Sequence, residues 1–188
     1  MKRLLAASWV AALVAGIFAV QPRLARTVHA IGEREDRYAL PSPGVLRAAT
    51  LGYRAAAADI LWSKVTVEYG THLAERRPFV HLTRYLDSIL ALEPDHAPVY
   101  RYGPSFILFH HPGTTERDAH MARHYLERGT RERPTDPEMW LRYGEFLSAF
   151  GPSFLASADE KTSWRNEGAR AIARARELGA PGRVAPGR

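Results

Sequence analysis

The chain contains no cysteine in 188 residues. That removes disulfides, thiolate zinc sites and cysteine nucleophiles together. It leaves the compartment open, since an oxidising environment does not oblige a protein to carry disulfides. Lysine is scarce as well, at 3 against 23 arginines. With the abundant alanine, this has the look of a GC-rich coding bias. No glycine-rich phosphate loop, paired-carboxylate motif, Ser-x-x-Lys or His-Glu-x-x-His is present. "GPSF" occurs twice, at Gly103–Phe106 and Gly151–Phe154. Ile107 and Leu155 stand where a nucleophile elbow needs its second glycine. From Val45 onward no stretch alternates with a convincing period of two, so helical patterns dominate.

The net charge of +6 and pI near 9.9 invite a nucleic-acid reading. The distribution argues against one. Lys2, Arg3, Arg23, Arg26, Arg183 and Arg188 lie at the ends of the chain. Without those six, the remaining 20 basic residues are balanced by 20 acidic ones, all between Glu33 and Glu177. The excess belongs to the termini, and no nucleic-acid partner is expected.

Residues 4–20, "LLAASWVAALVAGIFAV", carry no charge and follow Met1-Lys2-Arg3. Seventeen residues span about 26 Å as a helix, near the lower limit for a membrane crossing. Residues 1–22 therefore read as a signal anchor or a signal peptide. Cleavage wants small residues soon after the apolar run. Val28-His29-Ala30 has that chemistry, but it lies beyond Pro22 and two arginines. The anchor is the favoured reading. It places one pass in a bacterial inner membrane and the bulk of the chain in the periplasm. The alternative is a cleaved, periplasmic or secreted chain. Residues 23–44 read as a linker, and the proline- and glycine-rich 181–188 as a disordered tail.

Between them, residues 45–180 read as helices joined by short turns. Residues 45–75 make one long or broken helix. Phe79, Leu82, Leu86, Ile89 and Leu90 recur at three- and four-residue steps, and Pro94 stops that helix. Residues 97–110 make the next candidate, with a kink expected near Pro104. Thr114 or Thr115 caps a helix through Glu132. Asp136 caps another, with Pro137 in its first turn, that runs to about Phe150. The last helix starts near Ser157 or Asp159 and ends near Leu178-Gly179. Short loops imply antiparallel neighbours.

Two boundaries match, "LEPDHAPVYRYG" at 92–103 and "ERPTDPEMWLRYG" at 132–144. Each places an aromatic six residues after a proline (Tyr100, Trp140) and then a Tyr-Gly pair (Tyr102-Gly103, Tyr143-Gly144). A third pair is Tyr69-Gly70. Second-helix places are filled by Leu82 and Leu86, then by Ala122, Leu126 and Gly129, then by Gly168, Ile172 and Ala175. On these residues the chain resembles the tetratricopeptide repeat family over about residues 60–180. It is similar, more narrowly, to bacterial envelope proteins of that type with one N-terminal membrane segment. The resemblance implies an all-α, right-handed array of about three degenerate antiparallel hairpins. It implies packing roles for the residues just named, with Gly144 letting the neighbouring helix come close. It departs from the family in the 40 residues between its two proline-led turns, where the repeat has 34.

Stacked hairpins leave a concave surface on their first helices. Arg101, Ser105, Leu141, Glu145 and Ser148 are the residues expected there to meet a protein or peptide partner. The resulting expectation is a membrane-anchored scaffold or adaptor in the cell envelope, not an enzyme, with no cofactor. One alternative is a structural subunit of an envelope assembly or secretion machine. Another is a metal-dependent hydrolase using His120 and His124, which with Glu116 stand four apart on one helical stripe. That stripe reads first as a solvated polar face, and no metal is assigned. Asp59, inside the apolar "AAAADILW", is expected to need an ion-pair partner if buried.

Overall fold

The structure is a computed structural model and describes residues 40–110 and 113–181. The apolar run 4–20, the linker through residue 39 and the tail beyond Pro181 fall outside the described residues. Among the described residues no helix is long and apolar enough to cross a membrane.

Seven α-helices and no strand make up the described chain. They are α1 (Pro43–Ala49), α2 (Arg54–Ala74), α3 (Leu82–Leu92), α4 (Ala97–Phe109), α5 (Glu116–Glu132), α6 (Pro137–Glu145) and α7 (Ala158–Glu177). α6 runs on through a π-helical turn, Phe146–Phe150, into a 3₁₀ turn, Gly151–Phe154. Residues 45–75 are broken between α1 and α2, where Leu51 and Gly52 take positive φ of 48° and 95°. α4 continues through Pro104.

The helix starts follow their local chemistry. Thr115 and Asp118 make a reciprocal capping box on α5, with Asp118 N donating to Thr115 Oγ1 at 3.3 Å and Thr115 N donating to Asp118 Oδ2 at 2.8 Å. Ser157 caps α7 by accepting from Glu160 N. Asp136 caps α6, accepting from Glu138 N at 3.0 Å and Met139 N at 3.4 Å. Desolvation pushes the Asp136 carboxyl up. The Arg133 guanidinium and the two backbone N–H groups outweigh it and hold the pKa below 3.8. A depressed folded pKa gives stability that is present above the unfolded value and lost as pH falls through the folded one. Asp136→Ala is therefore expected to cost roughly 1 kcal/mol at neutral pH. That deficit should shrink toward zero in urea melts carried out progressively below pH 3.8.

Consecutive helices pack in pairs, α2 on α3, α4 on α5 and α6 on α7. The first helices also touch in succession, α2 with α4 and α4 with α6. Gly144 lies against Gly168 and Ile172 while Gly151, further along, lies against Trp164. α6 and α7 therefore run antiparallel.

The two glycines of that pair set its closeness. A Cβ on Gly144 would sit 2.8 Å from the Gly168 carbonyl oxygen and 2.6 Å from Ile172 Cγ1. A Cβ on Gly168 would sit 2.8 Å from the Gly144 carbonyl oxygen and meet Ser148 Oγ. Backbone therefore faces backbone across the crossing. In the α4–α5 pair, Gly129 instead meets a side chain, its absent Cβ lying 3.0 Å from Tyr100 Cβ. The core on either side holds Leu82, Leu86, Tyr100, Ala122, Leu126, Tyr143 and Ala175, all buried. Ile172 is half-buried.

The two proline-led turns share a device. The Trp140 indole N–H donates to the Pro134 carbonyl at 2.9 Å. The Tyr100 hydroxyl donates to the Pro94 carbonyl in the same way. Each aromatic ties the turn to its own helix, which explains the six-residue spacing. Burial raises the Tyr100 hydroxyl to about 12, so it stays a donor at any ordinary pH.

The Tyr-Gly pairs, by contrast, are not equivalent. They are 41 residues apart while the prolines and aromatics are 40 apart, and one residue turns a helix by about 100°. Gly103 consequently faces α3, with its absent Cβ 3.2 Å from Leu86 Cδ1, whereas Gly144 faces α7. In the proline register the partner of Gly144 is Pro104. Tyr143 is buried and Tyr102 is 51% exposed. Gly70 also departs from its expected packing role. It is exposed, and nothing lies within 4 Å of where its Cβ would be.

Candidate protein-binding surface

α2 and α4 meet through aromatic rings. Tyr69 stacks on Phe106 at 4.1 Å, and Phe106 stacks on Trp62 at 5.5 Å with the planes 4° apart. Trp62 in turn lies 6.3 Å from Tyr102. Trp62 and Tyr69 are seven residues apart on α2, a rise of about 10.5 Å. That gap admits one ring, and Phe106 fills it. The order Tyr102, Trp62, Phe106, Tyr69 climbs both helices in the same direction. These first helices are therefore parallel.

The ladder does more than join helices. Trp62, Tyr69 and Phe106 are only half-buried. Tyr102 and Phe109 continue the stripe at i, i+4 and i+7 on α4 and are 51% and 47% exposed. Phe109 reaches Phe150, 42% exposed, at 6.1 Å. A row of partly exposed aromatics thus runs along α2 and α4 toward the end of α6. Such patches mark interaction sites on soluble domains. Burial raises the Tyr69 hydroxyl above its ordinary value.

At one end of the ladder stand two carboxylates and an imidazole. His96, which starts α4, is buried and lies 6.2 Å from Trp62. Its Nδ1 is 3.0 Å from Glu93 Oε2 and 3.9 Å from Asp59 Oδ1. Asp59 is not buried, its side chain being 73% exposed, so the ion-pair partner that burial would require is not called for. Ligand atoms of Asp59, Glu93 and His96 lie within 4.8 Å of one another, and so do those of Glu116, His120 and Glu160. In the second group His120 Nε2 is 3.4 Å from Glu160 and 3.9 Å from Glu116. His124 is not in it and sits edge-on to Tyr125 at 5.8 Å. The histidine pair considered for zinc is therefore split between different neighbours.

The five expected partner-facing residues also separate. Leu141, Glu145 and Ser148 line one groove of about 190 Å³ between α6 and α7, opposite Ile172 and Arg176. Ser105 is exposed on α4. Arg101 is engaged internally, with Nη2 2.9 Å from Glu138 and 3.6 Å from Asp136. It clamps α4 to the start of α6, so it is a poor probe of partner binding.

Sequence reasoning missed the ladder because Trp62, Tyr69, Tyr102 and Phe106 sit on different helices. Tyr102 and Phe106, four residues apart, and Trp62 and Tyr69, seven apart, each mark one helix face, but no local signal interleaves the two pairs. It also missed Glu167, which accepts from the Tyr143 hydroxyl and, at 2.7 Å, from Arg123 Nη2. No family model, curated protein or solved structure matches the chain.

Proposed function

We propose that this chain is a membrane-anchored, tetratricopeptide-like scaffold. It presents the first helices of three stacked hairpins to a protein or peptide partner in the cell envelope. The observation that carries the reading is the half-exposed aromatic ladder where α2 and α4 meet. Helix pairing supports it, because first helices touching in succession is what stacked hairpins require. In this reading residues 4–20 are the membrane segment and the bulk of the chain belongs to the periplasmic side. The α6–α7 groove holding Leu141, Glu145 and Ser148 extends the partner surface on the last hairpin.

A structural subunit of an envelope assembly would use the same face with a permanent partner. The hydrolase reading gains no support, since His120 and His124 do not converge.

Affinity capture from solubilised membranes tests the proposal. Tyr102→Arg is expected to reduce recovery of a co-purifying protein at least tenfold. Arg170→Glu, on the exposed side of α7, should leave recovery unchanged. Equal recovery with Tyr102→Arg would remove this face as the partner surface.

A further inference from the structure

We propose that the outer face of α2 pairs with the same face of a second copy of this chain, the two helices running antiparallel. The inference goes beyond the scaffold reading and does not depend on it. The paired face lies about 140° around α2 from Trp62 and Tyr69, so pairing leaves both aromatic ladders uncovered.

α2 is apolar on two sides. Ala58, Leu61 and Val65 are buried against the body of the domain. On the opposite side Tyr53, Ala56, Ile60, Ser63, Val67 and Gly70 recur at alternating steps of three and four, all exposed and all uncharged. Tyr53, Ile60 and Val67 are 76, 70 and 70% exposed. α1 leaves that side bare, since it packs on α3. The end of a helical array needs a polar outer face to stay soluble alone. An uncharged face with a three–four repeat is instead the seam of a helix pair.

The face is complementary to itself. Its large residues, Tyr53, Ile60 and Val67, alternate with its small ones, Ala56, Ser63 and Gly70. Laid antiparallel, Ile60 faces Ser63 of the second copy, Val67 faces Ala56 and Tyr53 faces Gly70. Two-fold symmetry makes each contact twice, and every large side chain fills the space beside a small one. The small positions are ready for contact. Ser63 Oγ already donates to the Asp59 carbonyl at 2.9 Å, so covering it strands no donor. Gly70, costly in an open helix, has nothing within 4 Å of where its Cβ would be. That gap gives the Tyr53 ring of the second copy its room.

Charge selects the register. In that alignment Lys64 lies across from Ala57 and Asp59 from Thr66, so no like charges meet. A shift of one heptad either way sets Lys64 against Lys64, or Asp59 against Asp59, of the other copy, and such pairs repel. A parallel pairing would bring Asp59 near Lys64. However, Lys64 already pairs with Glu68, and an exposed ion pair contributes little. Parallel helices would also stack Gly70 on Gly70 and Tyr53 on Tyr53, leaving voids beside overfilled layers.

The test uses the full-length chain in detergent micelles. Sedimentation equilibrium is expected to show a dimer. Ile60→Arg, at a site 70% exposed, should weaken association at least tenfold while the helical circular dichroism stays unchanged. The chain has no cysteine of its own, so introduced ones report cleanly. Ala56→Cys or Val67→Cys alone should form no disulfide, because identical positions then lie about 16 Å apart along the seam, beyond disulfide reach. Mixed, the two variants should cross-link. A monomeric parent would overturn the inference. So would a dimer indifferent to Ile60→Arg, which would place association in residues 4–20. Ala56→Cys linking to itself would overturn the antiparallel pairing. A monomeric parent that loses a different co-purifying protein on Ile60→Arg would assign the face to that protein instead.

Discussion

Gly144→Leu is expected to destabilise the fold by about 3 kcal/mol or more. In a chain of this size that lowers the melting temperature by roughly 10 °C. The smaller change Gly144→Ala sets two effects against each other. Helix propensity alone favours alanine over glycine by about 1 kcal/mol. The added Cβ would lie 2.8 Å from both the Gly168 carbonyl oxygen and the Ile172 nitrogen. Those are backbone atoms, which cannot rotate away, so α6 and α7 must separate along their length. Gly144→Ala should therefore destabilise, whereas Gly70→Ala, with open space around it, should be neutral or slightly stabilising. Thermal melts of the two variants read the difference in sign. A Gly144→Ala protein as stable as the parent would mean that the helices are not in backbone contact.

The second large effect belongs to Trp164, 1% exposed and among the largest buried side chains. It closes the core between α5, α7 and the irregular turns after α6. The Arg123 guanidinium lies 4.9 Å over its ring, and Phe146 is 6.0 Å away. Gly151 is small where the indole passes, since a Cβ there would be 2.8 Å from Trp164 Cζ3. Trp164→Ala is expected to cost about 3–5 kcal/mol. One feature tempers it. The buried indole N–H has no hydrogen-bond partner among the described residues, and an unpaired buried donor itself costs about 1–3 kcal/mol. Trp164→Phe keeps most of the apolar volume and removes that donor, so it should cost less than about 1.5 kcal/mol. Urea denaturation of both variants measures the pair. Similar losses in both would place the value of Trp164 in its N–H rather than its packing.

Much of the framework was legible because its signals are local. Thr115, Asp136 and Ser157 mark helix starts through hydrogen bonds to their own next turn. Pro94 and Pro134 end helices for reasons internal to the backbone. The pairing of Tyr100 with Pro94 and Trp140 with Pro134 was visible as a spacing, although only geometry revealed the hydrogen bonds behind it. The repeated Tyr-Gly was legible as text and misleading as structure, since a one-residue offset aims Gly103 and Gly144 at different neighbours. Gly70 shows the same limit, as a glycine in sequence does not announce whether its missing side chain faces a helix or solvent. The π-helical turn at Phe146–Phe150 had no local mark either; it lies beside Trp164, 14 residues beyond Phe150. The ladder was hidden for a related reason. Its rings come from two helices about 40 residues apart, and only the register of α2 against α4 interleaves them.

Site-specific photo-cross-linking in membranes asks whether a partner sits on the aromatic face. A photo-reactive amino acid replaces Tyr102 on the aromatic face in one protein and Arg170 on the outer side of α7 in another. A discrete cross-linked partner is expected from position 102 and none from position 170. That product should be lost when Trp62→Ala is added. A product of equal strength from position 170, or one from position 102 that survives Trp62→Ala, would contradict the assignment of the first-helix face as the partner surface.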